Sequence, residues 1–164
     1  MNKKKYISLA KRSADIQINE LKKIKKTFNS SFVKAVDLIV NNKGKIIFAG
    51  IGKSGLIARK ISATFSSVGI PSFFCDPAQA LHGDMGQIEK KDLLIIFSYS
   101  GNTSELKNML RYANRYSIKI IGVASKPESI LLKASDVKIL IPKVKESDVT
   151  GMVPTSSTSI TLLL

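Results

Sequence analysis

The side chains able to do chemistry in this sequence gather in a few short stretches. The densest is Ser98-Tyr99-Ser100-Gly101-Asn102-Thr103-Ser104-Glu105. Capping a helix uses one hydroxyl, whereas this stretch offers four, from Ser98, Ser100, Thr103 and Ser104, around a glycine that permits a tight turn. Followed by the free amides of a helix start, such a set makes a receptor for a phosphomonoester. A second hydroxyl cluster, Thr155-Ser156-Ser157-Thr158-Ser159, repeats the chemistry further along the chain.

Gly50-Ile51-Gly52-Lys53-Ser54-Gly55 is formally G-x-G-x-x-G, and Asp76 follows at the spacing of a dinucleotide fingerprint. That reading implies NAD binding but leaves Lys53 unexplained, because backbone amides hold a pyrophosphate without a buried amine. A Walker A loop is excluded, since Ile47 stands where its first glycine is required. The other ionisable candidates are His82, the only imidazole, in Leu81-His82-Gly83-Asp84; Glu105, at a helix start where a carboxylate also complements the dipole; and Glu146, in Val144-Lys145-Glu146-Ser147-Asp148, which also reads as a solvated loop charge. No pair of His or Cys residues has metal-ligand spacing, so no metal site is expected, and no Ser-His-Asp order can be assigned.

These stretches lie at the ends of apolar runs. Ile46–Ala49, Pro71–Phe74, Leu93–Phe97, Ile118–Val123 and Val137–Ile141 read as buried strands, and Ser54–Val68, Thr103–Tyr116 and Glu128–Ala134 between them read as helices. Nearly continuous apolar strands alternating with helices specify a parallel sheet covered on both faces. The fold class is α/β, doubly wound, with about five strands, and function belongs in the loops beyond the C-terminal strand ends. Ahead of the sheet, apolar residues from Ile7 to about Val40 recur at three- and four-residue steps, predicting two amphipathic helices broken near Asn29-Ser30-Ser31, with Ser30 or Ser31 as the second cap. This leader, residues 1–44, is expected to cover the domain or pair with another subunit, and residues 45–164 are expected to form the domain. Ile160-Thr161-Leu162-Leu163-Leu164 reads as the first buried turns of a helix, so the domain is expected to be truncated at its C-terminus.

A length of 164 residues, 44% hydrophobic and 23% charged, suits one well-buried domain. The net charge of +14 invites a polyanionic partner. However, residues 1–45 hold 12 basic and 3 acidic side chains, and lysine supplies 22 of the 26 cations. Lysine lacks the planar fork that reads bases and grips phosphates bidentately, so no nucleic-acid partner is expected. The single cysteine, Cys75, excludes an internal disulfide and a Cys-rich zinc site. No apolar run approaches the roughly 18 residues that span a bilayer, and Met1-Asn2-Lys3-Lys4-Lys5-Tyr6 is not followed by the apolar stretch of a secretory signal. A cytoplasmic protein with no membrane contact is the expectation.

Gly50–Gly55, Pro71-Ser72-Phe73-Phe74, His82-Gly83-Asp84, Ser98–Glu105, Lys126-Pro127-Glu128-Ser129 and Pro154–Thr158, taken in order, resemble the sugar isomerase (SIS) family, and more narrowly its D-arabinose 5-phosphate isomerases. The resemblance implies a flavodoxin-like sheet and a phosphosugar ligand. It also implies reversible conversion of D-ribulose 5-phosphate and D-arabinose 5-phosphate, an early step toward 3-deoxy-D-manno-octulosonate and lipopolysaccharide. No metal or organic cofactor is implied, and relatives form homotetramers. By the same resemblance Lys53, Glu105 and Glu146 are catalytic, with Lys53 stabilising the developing oxyanion and one glutamate moving the proton, Glu105 ahead of Glu146. Substrate contacts fall on Ser54, Gly69, His82, Ser98, Ser100, Thr103, Ser104, Thr155, Ser156 and Ser157. Asn102 stands where related isomerases commonly have Glu, and the family's Ser-His-Pro-Gly-Gly segment and CBS repeats lie downstream of residue 164. A phosphosugar-sensing domain of a regulator would share the hydroxyl loop without needing Lys53, Glu105 and Glu146; an NAD-binding domain would ignore sugar phosphates.

Overall fold

The computed structural model describes residues 3–164. Met1 and Asn2, the start of the expected leader, lie outside the described residues. Helices α1 (Lys3–Leu21) and α2 (Ser30–Val40) lead into an alternation of β1 (Ile46–Gly50), α3 (Gly52–Ser67), β2 (Ser72–Cys75), β3 (Leu93–Phe97), α4 (Leu106–Arg115), β4 (Lys119–Ala124), α5 (Ile130–Ala134), β5 (Val137–Leu140) and α6 (Ser156–Leu163). The strands form one parallel sheet in the order β2-β1-β3-β4-β5. This is the doubly wound α/β arrangement that the alternation of apolar runs and helical periods requires.

Successive strand side chains point to opposite faces, and every residue of β1 and β3 is buried. Ile47, Ala49, Leu94, Ile96 and Ile120 pack under Leu106, Met109 and Leu110 of α4 and Leu131 and Leu132 of α5. Ile46, Phe48, Ile95, Phe97, Ile121 and Val123 face Ala35 of α2, Ala58 of α3 and Ile160 of α6. Burying each of the Leu, Ile, Val, Phe and Met side chains among them stabilises the fold by about 1.5–3 kcal/mol. Phe48 sets the depth of the second layer, meeting Phe65 edge-on at 5.0 Å between ring centroids. Helix α3 lies close on β1 because residue 55 is glycine: a Cβ there would stand 2.6 Å from the Gly50 carbonyl oxygen.

Three local expectations are corrected. The leader breaks earlier than Asn29, because Lys22–Thr27 forms a 3-10 helix. Its three-residue period brings Ile24 and Thr27 to one side, where both are buried and the Thr27 hydroxyl donates to the Leu140 carbonyl at 3.2 Å. The cap of α2 is Asn29, not Ser30 or Ser31; its side-chain oxygen accepts the Ser31 N–H at 2.8 Å. Helix α4 begins at Leu106, not Thr103, because Thr103 is held in the loop by a 2.9 Å hydroxyl contact with Ser98.

Helix α1 packs along α6 and the segment after β5. Ser13 donates its hydroxyl hydrogen to the Ser147 hydroxyl at 3.0 Å, Ser159 donates to the Gln17 side chain at 3.0 Å, and the Lys145 N–H donates to Glu20 at 3.0 Å.

Candidate functional site

From β1 the chain turns to β2 on one side, and from β3 it turns to β4 on the other. Such a switch point opens a crevice beyond the C-terminal strand ends. A cavity of about 590 Å³ occupies it, a size suited to a small molecule. Lys53 and Ser54 line it from the start of α3; Ser98, Tyr99, Ser100 and Thr103 from the loop after β3; Glu146, Met152 and Pro154 from the segment after β5; and Ser157 from α6. The site thus joins the two hydroxyl clusters and the Gly-Lys-Ser-Gly turn, which lie far apart in sequence.

The hydroxyl loop is held from within and from behind. The Ser98 hydroxyl accepts the Gly101 N–H at 3.1 Å and that of Ser100 accepts the Asn102 N–H at 3.3 Å. Gly101 has φ +67°, a conformation that costs other residues about 1–2 kcal/mol. Behind it, the Leu131 N–H donates to the Gly101 carbonyl at 3.0 Å, and the Ile130 N–H donates to the Asn102 side-chain oxygen at 3.0 Å. Asn102 therefore ties the loop to the start of α5.

Glu146 lines the same cavity from the segment after β5. Its Oε2 accepts the Thr155 N–H at 2.7 Å, the Thr155 hydroxyl at 2.9 Å and the Ser157 N–H at 3.2 Å. Burial works against its charge, but the bonds from Ser157 and Thr155 outweigh it and hold the carboxyl below its ordinary range. Glu146 is thus a fixed anion at neutral pH. Lys53 is exposed and makes no ion pair among the described residues.

The other expected residues lie elsewhere in this chain. Glu105 is exposed beside the loop, and Ser104 donates its hydroxyl to the Glu105 carboxylate at 2.7 Å, which holds that carboxyl low. Neither lines the cavity. Thr155 sits behind Glu146, its hydroxyl also accepting the Ser147 N–H at 2.8 Å. Ser156 is fully buried, and its hydroxyl has no partner among the described residues. His82 is exposed in a 3-10 turn after β2. Gly69 lies at the far end of the sheet, beside a separate depression shared with Lys45, Ser66 and Ser72. Residue 72 pairs with Ile46 at the start of β1, whereas the cavity opens beyond Gly50 at its end. Gly69 therefore does not line the cavity of its own chain.

Asp76, the acidic residue of the dinucleotide reading, is also apart from it. It accepts the Ala78 N–H at 2.9 Å and borders a smaller depression with Arg59, Gln79 and Asp84. Burial, helped by Asp84 and Asp76, pushes the Cys75 thiol up to about 11, which leaves it protonated and inert. Among the described residues, no group of three or more His, Cys, Asp and Glu could hold a metal ion, and no helix is long and apolar enough to cross a membrane.

Two contributors were missed in the sequence. Tyr99 lines the cavity while its phenolic oxygen accepts the Val144 N–H at 2.8 Å. Asp148 organises the overhanging turn, accepting the Met152 N–H at 3.0 Å, the Val153 N–H at 2.8 Å and the Thr150 hydroxyl at 2.9 Å. The turn-forming Asp148-Val149-Thr150-Gly151 was the available signal for the second.

Residues 38–164 match the SIS domain. Over its full length the chain is 42% identical to the uncharacterized protein RP505 of Rickettsia prowazekii, covering 51% of that protein. It is 38% identical over 159 residues to arabinose 5-phosphate isomerase KdsD of Pseudomonas aeruginosa, covering 97% of this chain and 49% of the enzyme. A solved Escherichia coli CFT073 protein in complex with arabinose 5-phosphate superposes with a TM-score of 0.94 at 33% identity, covering 99% of this chain and 87% of that one. The chain spans about half the length of the curated relatives it matches. With the match running from α2 to residue 164, and the sheet and its cavity in place, the chain belongs to the SIS domain family.

Proposed function

We propose that this chain carries the isomerase domain of a D-arabinose 5-phosphate isomerase, interconverting D-arabinose 5-phosphate and D-ribulose 5-phosphate. The observation that supports this most directly is one cavity lined by Ser98, Ser100 and Thr103 together with Lys53 and Glu146. The hydroxyl loop holds the phosphate, which fixes the distance from phosphate to reacting carbons and replaces a bimolecular encounter by a positioned one. Glu146 takes the proton from C2 of the aldose. The C2–H electrons form the C1–C2 double bond and the C1 carbonyl electrons move to O1, where Lys53 stabilises the negative charge. Return of a proton to C1, with transfer of the O2 hydroxyl proton to O1, leaves the ketose. Glu146 replaces Glu105 as the first assignment for this proton because it shares the cavity with Lys53. The reaction would supply an early step toward 3-deoxy-D-manno-octulosonate.

The Asp76 position, outside the cavity, argues against the dinucleotide alternative. The sequence division is proposed to be a phosphosugar domain over 45–164 with the 1–44 leader packed on it. Residues of α1 such as Ile7 and Ile18 are exposed at 58% and 53%, which suits coverage by another copy in a homotetramer; light scattering tests this. Thermal shift with arabinose 5-phosphate, ribulose 5-phosphate and NAD tests the ligand class. Both sugar phosphates are expected to raise the melting temperature by several degrees at about 100 times Kd, and Ser98→Ala is expected to abolish the rise. Stabilisation by NAD alone would contradict the reading. A coupled assay then separates isomerase from sensor.

A further inference from the structure

We infer that Ser13 and Glu20 of the leader helix α1 are positioning residues for Glu146, clamping the chain on either side of it so that its carboxylate is held at the cavity. The inference rests on the assignment of Glu146 to proton transfer proposed above. Glu146 borders two depressions, the cavity of about 590 Å³ and a groove of about 280 Å³ that Leu9, Arg12, Ser13 and Ile16 line from α1. Its neighbours Lys145 and Ser147 line the groove and not the cavity. The leader therefore lies directly behind the residue that the reaction needs.

Ser13, Gln17 and Glu20 are spaced to share one face of α1. Ser13 donates its hydroxyl hydrogen to Ser147 Oγ at 3.0 Å, and the Glu20 carboxylate accepts the Lys145 N–H at 3.0 Å. Gln17, between them, accepts instead from the Ser159 hydroxyl of α6. Residues 145 and 147 are thus tied to the leader, while Glu146 itself is tied to Thr155 and Ser157 at the start of α6. A continuous path joins the two sets of bonds. Ser13 donates to the Ser147 hydroxyl, the Ser147 N–H donates to the Thr155 hydroxyl at 2.8 Å, and that hydroxyl donates to Glu146 Oε2 at 2.9 Å. Lys23 bonds the same Glu20 oxygen and holds that acceptor in turn. No residue of α1 is buried, so these bonds add little to the core; what they restrict is where a loop carboxylate sits. Such restriction matters to rate, because misplacing a reacting group by about 1 Å costs about 10²-fold.

The test measures turnover of D-arabinose 5-phosphate by two double variants of equal charge. Ser13→Ala with Glu20→Ala removes both bonds, whereas Ser13→Thr with Glu20→Gln keeps a hydroxyl donor and an oxygen to accept the Lys145 N–H. The alanine pair is expected to lower kcat about tenfold with KM within about twofold, because the hydroxyl loop is untouched. The conservative pair is expected to stay within about threefold of wild-type kcat. Gln17→Ala removes an α1 bond to α6 and is expected to leave kcat unchanged. Equal kcat in the two pairs would overturn the inference, as would an equal loss in Gln17→Ala, which would reduce the effect to helix docking. Circular dichroism checks that both pairs are folded; if the alanine pair is not, Ser13→Ala against Ser13→Thr repeats the comparison. The Glu146 carboxyl, followed by carbon-13 NMR without substrate, gives a readout independent of turnover. It is expected to titrate at higher pH in the alanine pair than in the conservative pair, as the bonds from Ser157 and Thr155 that hold it low are loosened. Wild type that binds the sugar without converting it would remove the isomerase reading and leave that titration to decide. Equal midpoints in the two pairs would then overturn the clamp, and a higher midpoint in the alanine pair would uphold it.

Discussion

The phenolic oxygen of Tyr99 accepts the backbone N–H of Val144 at 2.8 Å, joining the loop after β3 to the segment after β5 across the cavity wall. The carbonyl of the same residue accepts the Ser125 N–H at 2.9 Å and the Ser125 hydroxyl at 2.7 Å. Tyr99 thus links the C-terminal ends of three neighbouring strands. Tyr99→Phe leaves the carbonyl bonds intact but strands the Val144 N–H, at a cost of about 1 kcal/mol. A melting temperature lower by about 2–4 °C is expected for a domain of this size, and calorimetry checks it. An unchanged melting temperature would show that water replaces the phenol without loss.

At Gly101 backbone conformation and packing act together. A Cβ there would stand 2.2 Å from the Ser129 hydroxyl oxygen and 2.4 Å from Ser129 Cβ, on a backbone with φ +67°. Gly101→Ala is expected to cost more than about 2 kcal/mol and to weaken phosphate binding. Adding Ser129→Gly relieves the contact but not the backbone strain, and it also removes the Ser129 cap on the Leu132 N–H, so with the Ser129→Gly single variant as reference the recovery in urea denaturation is expected to be partial. Full recovery would mean that the left-handed backbone contributes nothing.

Asn102 predicts a separation of charge from hydrogen bonding. Its side-chain oxygen accepts the Ile130 N–H at 3.0 Å, so Asn102→Ala is expected to lose about 0.5–1.5 kcal/mol, the net worth of one hydrogen bond. Asn102→Asp retains the acceptor and should keep most of that stability. In an isomerase assay, Asn102→Ala is expected to raise KM more than it lowers kcat, because it loosens the phosphate loop and leaves Lys53 and Glu146 untouched. A fall confined to kcat would contradict this assignment.

Glu146 gives the pH dependence a sign. Its folded-state pKa lies below the ordinary value of 4.5, so the folded state favours the ionised form. The stabilisation is fully present above pH 4.5 and is lost as pH falls below that value toward the folded pKa. The stability difference between wild type and Glu146→Gln should therefore shrink on acidification through that window. Denaturation at several pH values measures it; a gap that widens on acidification would reverse the sign.

Much of the sheet was legible because burial on both faces writes itself into unbroken apolar runs: Leu93–Phe97 is the strand as read, and Ile46–Ala49 needed only Gly50 added. The leader was less legible, since Leu21, Ile24 and Thr27 fit a helical stripe as well as the three-residue period actually used. In the site, hydroxyl number and glycine placement pointed to the loop, and the Gly-Lys-Ser-Gly turn pointed to Lys53. Which glutamate shares their cavity depends on where the segment after β5 folds back, and that is set by Thr155 and Ser157 binding Glu146, a contact between loop residues that no periodicity encodes. Tyr99 was hidden for a similar reason: its partner Val144 lies 45 residues away.

Proton transfer through the Lys53 and Glu146 cavity is most directly tested by incubating this chain with D-arabinose 5-phosphate in deuterium oxide and following the sugar by NMR. An enediolate formed by removal of the C2 proton must take a proton from the enzyme or solvent at C1. Ribulose 5-phosphate carrying deuterium at C1 is therefore expected, with both conversion and exchange lost in Lys53→Met and Glu146→Gln. Binding of the sugar with neither conversion nor exchange in the wild type, or deuterium incorporation that persists in both variants, would contradict it.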